Sequence, residues 1–362
     1  MKKKVVGYCA NAGLILHRLR RTFKITLVFL VVLLAGMLAG KVASFFIDTS
    51  SLPHYKLYTN FIYGLLAIGL YGSVFTINIK ELRDNKKIVI CAITVGVALK
   101  SIIIGSILYI FTKNSIAFLL GIAVAQIDPL SVASLLRSKK SNLSERAKTI
   151  LAAWSSFDDP MSVIMMIYIL NRFLLFNHDV SLSWLLFIDF ASNISFATIV
   201  FFILKSINSN FTFQYILLAV CFIISICNQL MLGIAIIGLF LRPPDKRLSL
   251  IVEIAQYLSI FLLGMILING VSLSDGLIVA IAAVSAQIIV GFILTVDLPL
   301  QDRINLSIAQ QNGITAIILS LLMESYFDGS VAIIAPAILF INIINYLLNS
   351  NYSRNKIIQS FL

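Results

Sequence analysis

The chain has 362 residues, 59% of them hydrophobic and only 12% charged, with a mean hydropathy of +0.98. Soluble domains carry about 25% charged residues, so this composition excludes a soluble globular protein and leaves no long polar segment for a soluble domain. The net charge of +12 sits on loops between apolar runs, which is a topology signal; no basic element stands free to track phosphates, so nucleic acid is not an expected partner.

Residues 1–24 read as a basic cytoplasmic segment. The apolar run that follows is too long for the core of a signal peptide and lacks a clear cleavage site. Because a spanning helix needs about 20 apolar residues, candidate spans fall at 25–47, 57–79, 88–111, 115–137, 147–171 and 183–205. A further set falls at 213–227, 229–241, 250–270, 275–297, 304–325 and 330–349. The expected fold is therefore an all-α membrane protein of about 12 transmembrane helices, with 350–362 as a short cytoplasmic tail.

In the first span, Lys41 lies near the outer end and is expected to reach the interface. The third holds Lys100 in mid-run, within ITVGVALKSIIIGS. A lysine at that depth needs a carboxylate partner, and Asp158 or Asp159 is the nearest candidate. Snorkelling is the alternative, made hard by the distance to either helix end.

The fourth span is interrupted at Gln126-Ile127-Asp128-Pro129. Asp is a good N-cap and Pro suits the first helical position, so a half-helix is expected to restart here. Proline also leaves the Ala125 carbonyl without its helical donor. A free carbonyl, a carboxylate and a helix end together make an oxygen-rich ion site; the plainer alternative is a proline kink that Asp128 merely caps.

The fifth span contains the adjacent pair Asp158 and Asp159 in LAAWSSFDDPMSVIMMIYIL. Carboxylates at membrane depth are costly and persist mainly where they bind or relay ions. Consecutive residues on a helix point about 100° apart, so one can face an ion cavity while the other meets a neighbouring helix. Pro160 frees the Ser156 carbonyl, and Ser155 and Ser156 add hydroxyl oxygens. Hard monovalent cations such as Na⁺ want such an oxygen shell, and a carboxylate there holds either the ion or a proton.

In the sixth span, Asp189 lies about two turns from the outer end, a position facing a vestibule. Residues 206–241 carry no charge and are too long for one helix and short for two. Asn228-Gln229 marks the expected turn between two short helices. Glu253 is expected at the interface. The eleventh span is interrupted at Gln310-Gln311-Asn312-Gly313.

The four cysteines, Cys9, Cys91, Cys221 and Cys227, have no metal-ligand spacing and read as small buried hydrophobes. His17, His54 and His178 lie at or beyond helix ends, which argues against a histidine relay or zinc site in mid-membrane. No cofactor is expected.

Most lysines and arginines fall in segments that are cytoplasmic if the N-terminus is inside, which supports an even number of spans and both termini inside. The third to fifth spans and the tenth to twelfth then begin on opposite sides of the membrane, as in transporters built from inverted repeats around two broken helices. Asp128 and Asn312 lie at similar distances from the starts of their units, and Lys100 and Gln287 at matching ones. The core is expected at about 88–205 and 275–349, and scaffold helices at about 25–79 and 213–270.

At these residues the chain resembles the monovalent cation:proton antiporter superfamily. The likeness covers most of 57–349 and rests on GLLAIGLYGSVFTINIKELRDNKK, LLGIAVAQIDPLSVASLLRSKK and SERAKTILAAWSSFDDPMSVIM. An unwound helix with Asp-Pro, followed by a helix with Asp-Asp or Asn-Asp, is that family's most specific pattern. The resemblance implies two crossed discontinuous helices, Asp159 as the ion-coordinating aspartate and Asp158 at the position that is Asp in electrogenic members. It implies Asp128 at the first crossing, with Gln126 and Asn312 in support, and a homodimer in a prokaryotic inner membrane.

Two positions depart from the pattern. Ile127 stands where a threonine is usual, which removes one hydroxyl near the crossing. The tenth span has no lysine or arginine between Arg247 and Arg303, with Gln287 near the usual place. Lys100 is expected to replace that partner and pair with Asp158.

The expected function is exchange of a monovalent cation, Na⁺ first, for protons by alternating access. A proton-coupled K⁺ transporter and a sodium-coupled organic-anion symporter share the fold. The paired aspartates disfavour an anion. Among intramembrane enzymes, an aspartyl protease would want Gly-x-Gly-Asp, which is absent, and adjacent Asp-Asp with Pro does not suit a metal-diphosphate site.

Overall fold

The computed structural model describes residues 27–75, 86–136, 143–174, 182–206, 211–243, 247–311 and 313–359. Asn312, Cys9, His17 and His178 lie outside the described residues. Helices dominate the chain order: α1 Leu27–Ala43, α2 Lys56–Phe75, α3 Lys87–Thr112, α4 Ala117–Ala123, α5 Pro129–Leu136, α6 Glu145–Leu174 and α7 Leu182–Ser206. There follow α8 Phe211–Asn228, α9 Met231–Phe240, α10 Arg247–Leu267, α11 Leu273–Leu294, α12 Leu300–Ser307, α13 Ile314–Glu324 and α14 Ser330–Gln359.

Eight helices (α2, α3, α6, α7, α8, α10, α11 and α14) hold stretches long and apolar enough to cross a bilayer. The shorter α1 and α9 and the two interrupted passages, α4–α5 and α12–α13, complete the twelve expected. The chain is thus an integral, multi-pass, all-α membrane protein. The expected turn in the uncharged stretch is real: Gln229 takes the left-handed conformation, φ 56°, and separates α8 from α9. α9 has only ten residues, and the chain beyond it is held by the Tyr71 hydroxyl donating to the Leu241 carbonyl at 2.6 Å.

Apolar burial concentrates on α2, α11 and α13, where Ile62, Leu66, Leu70, Val279, Ile318 and Leu319 are fully buried. Every described α13 residue is buried, so the second half of the broken passage runs through the middle of the molecule. α7 and α8 bury only 17% of their spanning windows and present Phe187, Phe202 and Ile223 outward, as lipid-facing helices do.

Small residues bring backbones together where the site needs them. A Cβ at Gly121 of α4 would lie 2.7 Å from the Ser101 carbonyl oxygen and 2.8 Å from the Gly105 nitrogen of α3. Glycine therefore lets the first half-helix lie directly on the helix that carries Lys100, in the small-residue manner of membrane packing. α3 also contains a π turn at Ala92–Gly96, a local widening often found near functional groups.

One expectation needs correction. Among the described residues only Cys221 is a buried cysteine; Cys91 and Cys227 are exposed, because an apolar span has a lipid side as well as a core side and hydropathy does not separate them. The last span falls at Ser330–Leu348, and its helix continues beyond the span to Gln359, since nothing in NYSRNKIIQ breaks a helix even though it leaves the apolar run. Elsewhere Lys41 and Glu253 are exposed, as expected, and the Glu253 carboxylate accepts the Tyr257 hydroxyl at 3.0 Å.

Candidate functional site

The two interruptions fall where proline and glycine place them, and they meet. The Asp128 amide donates to the Gln310 carbonyl at 2.9 Å, and Ile127 forms an isolated antiparallel bridge with Gln311. The unwound backbones thus satisfy part of each other's hydrogen bonding, as irregular chain at membrane depth must. A Cβ at Gly313 would lie 2.9 Å from Asp128 Oδ1, so a side chain there would push the breaks apart.

Asp128 is the N-cap of α5. Its Oδ2 accepts the Ser131 amide at 3.1 Å and also the Ser131 hydroxyl, and its carbonyl accepts the Val132 amide at 3.1 Å. Capping of the first-turn amides follows from the Asp-Pro-x-Ser order; the serine was legible as the third helical residue but escaped the sequence reading.

Asp158 and Asp159 sit on α6 beside Pro160, both fully buried, and they have different neighbours. Asp158 Oδ2 accepts Lys100 Nζ at 2.7 Å and the Ile127 amide at 3.1 Å. Lys100 is itself fully buried, with Nζ 5.3 Å from the centroid of the Trp154 ring. It does not snorkel; it is held by a carboxylate on one side and an aromatic face on the other.

Asp159 faces the other broken passage. The Thr315 hydroxyl in the first turn of α13 lies toward it, and the Asp128, Asp158 and Lys100 charges act on it. Apart from that hydroxyl, no described residue hydrogen-bonds the Asp159 carboxylate, and Ser162 Oγ, one turn on along α6, has no partner among the described residues either. Buried polar groups are nearly always paired. An ionised carboxylate in this state costs several kcal/mol, on the order given by desolvation, unless a cation or a proton sits on it.

The supporting residues divide. Ser155 Oγ donates to the Ala152 carbonyl at 3.2 Å within its own helix. The Ser156 carbonyl, freed by Pro160, meets Ser73 Oγ at 3.5 Å, while that hydroxyl has a shorter contact to Leu70 O at 2.9 Å. Gln126 Nε2 donates to the Ile122 carbonyl at 3.3 Å, and Gln287 Nε2 to the Leu306 carbonyl at 3.1 Å. Gln287 thus braces the end of α12, and its amide donates there instead of to an aspartate. Gln311 Nε2 similarly reaches the Ala283 carbonyl at 2.9 Å.

The ends of α12–α13 are tied by carboxylates. Buried Asp302 accepts the Ser144 amide at 3.1 Å and its hydroxyl at 2.6 Å, at the start of α6. Glu324 accepts the Gly329 and Val331 amides at 2.8 and 2.7 Å, at the start of α14. Both use the affinity of a helix N-terminus for negative charge. The half-buried Asp189 lines a small open cleft with Tyr168, Asn193 and Gln229, between α6, α7 and α9.

No family model matches the chain, and no curated protein matches it in sequence. Among solved structures, the sodium proton antiporter MjNhaP1 of Methanocaldococcus jannaschii at pH 8 is similar with a TM-score of 0.66 and 20% identity, over 98% of each chain. A second structure of the same antiporter, from an electron-microscopy map, gives a TM-score of 0.63 at 19% identity, again over 98% of both chains. At this identity the likeness shows that the fold is shared along nearly the whole length.

Proposed function

We propose that this protein is a secondary active antiporter that exchanges a monovalent cation, Na⁺ in the first instance, for protons by alternating access. The observation that carries the reading is the state of Asp159: fully buried, beside the crossing of two broken helices, with no hydrogen-bonding neighbour among the described residues except the Thr315 hydroxyl. Such a carboxylate has two low-energy states in hydrocarbon, one with a cation and one with a proton. Mutual exclusion at one group is what converts a proton gradient into cation movement. The fold shared with a sodium proton antiporter supports the same reading.

In this scheme Asp159 holds the ion or the proton and Asp128 supplies charge from the tip of α5. Asp158 is the partner carboxylate held by Lys100. Helices of 88–205 and 275–349 form the moving core against a scaffold at 25–79 and 213–270, where a second copy of the chain docks. The membrane is a prokaryotic inner membrane with both termini cytoplasmic. Three buried aspartates, Asp128, Asp158 and Asp159, with one buried lysine leave the site negative overall, which disfavours an organic anion as cargo.

Purified protein in proteoliposomes tests the function. Addition of Na⁺, Li⁺ or K⁺ to vesicles holding an imposed pH gradient should dissipate that gradient, and the half-saturating cation concentration should rise as pH falls, because protons compete for the same group. A gradient untouched by any of the three ions would end the proposal. Dissipation by K⁺ alone would move it to the proton-coupled K⁺ reading.

A further inference from the structure

We infer that Thr315 is a cation ligand and sets ion preference, an inference that rests on the antiport reading and deepens it. The hydroxyl comes from the second broken helix, two residues beyond Gly313, in the first turn of α13. Its side chain is 1% exposed, and the hydroxyl has no hydrogen-bond partner among the described residues other than the Asp159 carboxylate, toward which it lies. A threonine with no other task in a helix normally returns its hydroxyl to a carbonyl one turn back. The described chain does this at Thr94, Thr112 and Thr295, at 2.6–3.0 Å. Thr315 has no such bond, because the residues one turn back are the unwound break.

Beside the Asp128 carboxylate, the described residues of the first crossing contribute no free hydroxyl. Ile127 offers the site only its amide, and Asp158 takes that. Ser155 and Ser131 are engaged by Ala152 and Asp128. Thr315 is thus the buried hydroxyl that the second broken helix brings to Asp159, engaged by no other group among the described residues. A hydroxyl suits both states of the exchange, because its lone pairs coordinate a hard cation and its proton donates to the carboxylate. One ligand from each broken helix would also make cation binding depend on the crossing being closed.

The test compares wild type, Thr315→Val and Thr315→Ser in proteoliposomes over Na⁺ and Li⁺ titrations, alongside cation-induced shifts of the melting temperature in detergent. Valine preserves shape and removes the oxygen; serine keeps the oxygen. Thr315→Val should raise the half-saturating concentration about tenfold, as loss of one polar contact does. It should also change the Na⁺/Li⁺ ratio, with Thr315→Ser staying close to wild type. Half-saturation and ion ratio unchanged in Thr315→Val would overturn the inference, as would a loss of melting temperature with unchanged ion dependence. If Thr315→Val fails to fold, Thr315→Ala serves the same comparison. Should wild type move no protons, the antiport reading falls by itself. The ligand is then judged by melting alone: a Na⁺ shift present in wild type and lost in the valine variant supports it, and equal shifts or none overturn it.

Discussion

Lys100 and the Ile127 amide share one oxygen of Asp158, at 2.7 and 3.1 Å. The ion pair is therefore also a tie between α3, α6 and the first crossing, since Ile127 bridges to Gln311 of the second passage. Asp158 thereby contacts backbone that is bridged to the second broken passage.

Removing one member of a buried pair strands the other charge, at a cost of about 3–5 kcal/mol. Lys100→Ala should therefore lower thermal stability strongly, and Lys100→Ala with Asp158→Asn should recover part of the loss. A double-mutant cycle isolates that coupling, expected above about 1 kcal/mol. Additive melting shifts would show that the pair contributes nothing specific.

The pair also bears on stoichiometry. If Lys100 gives up its proton when Asp158 changes partner, each cycle moves net charge. Exchange in vesicles clamped by valinomycin and K⁺ should then respond to imposed voltage. Rates indifferent to voltage would leave the pair as structure alone.

Asp159→Asn should abolish cation-dependent proton movement while the protein still inserts and purifies. Because no described residue besides Thr315 hydrogen-bonds the Asp159 carboxylate, replacing the buried charge with a neutral amide should leave the melting temperature unchanged or raise it. Full exchange in the purified variant would remove Asp159 from the site.

Asp128 separates capping from charge. Asn also caps well, so Asp128→Asn should keep α5 intact yet raise the half-saturating cation concentration. Asp128→Ala should lose about 1 kcal/mol in addition, because the Ser131 amide is left unsatisfied. If the asparagine variant kept wild-type affinity, Asp128 would be a cap and nothing more.

Gly121→Ala probes the seat of the first broken helix. The new Cβ would meet Ser101 O and Gly105 N at under 3 Å, both backbone atoms that cannot rotate away. Overpacking of this kind costs about 1–3 kcal/mol, and the displaced α4 should disturb Asp128 as well. A variant with normal melting and normal exchange would show that α3 and α4 have slack at their contact.

The sequence by itself determined the membrane class, the places where both broken helices break, and the burial of Asp128, Asp158, Asp159 and Lys100. Each of these follows from local chemistry: apolar run length, the missing amide of proline, the N-cap preference of aspartate, and the cost of a charge far from water. Tertiary structure alone decided partners. That Ile127 spends its amide on Asp158, that Gln287 braces α12 instead of an aspartate, and that Thr315 faces Asp159 depend on how helices far apart in the chain rotate against one another. The side of α3 or α8 that faces lipid was equally hidden, as exposed Cys91 and Cys227 show. In a bilayer both sides of such a helix are apolar, so hydropathy carries no phase by which to orient it.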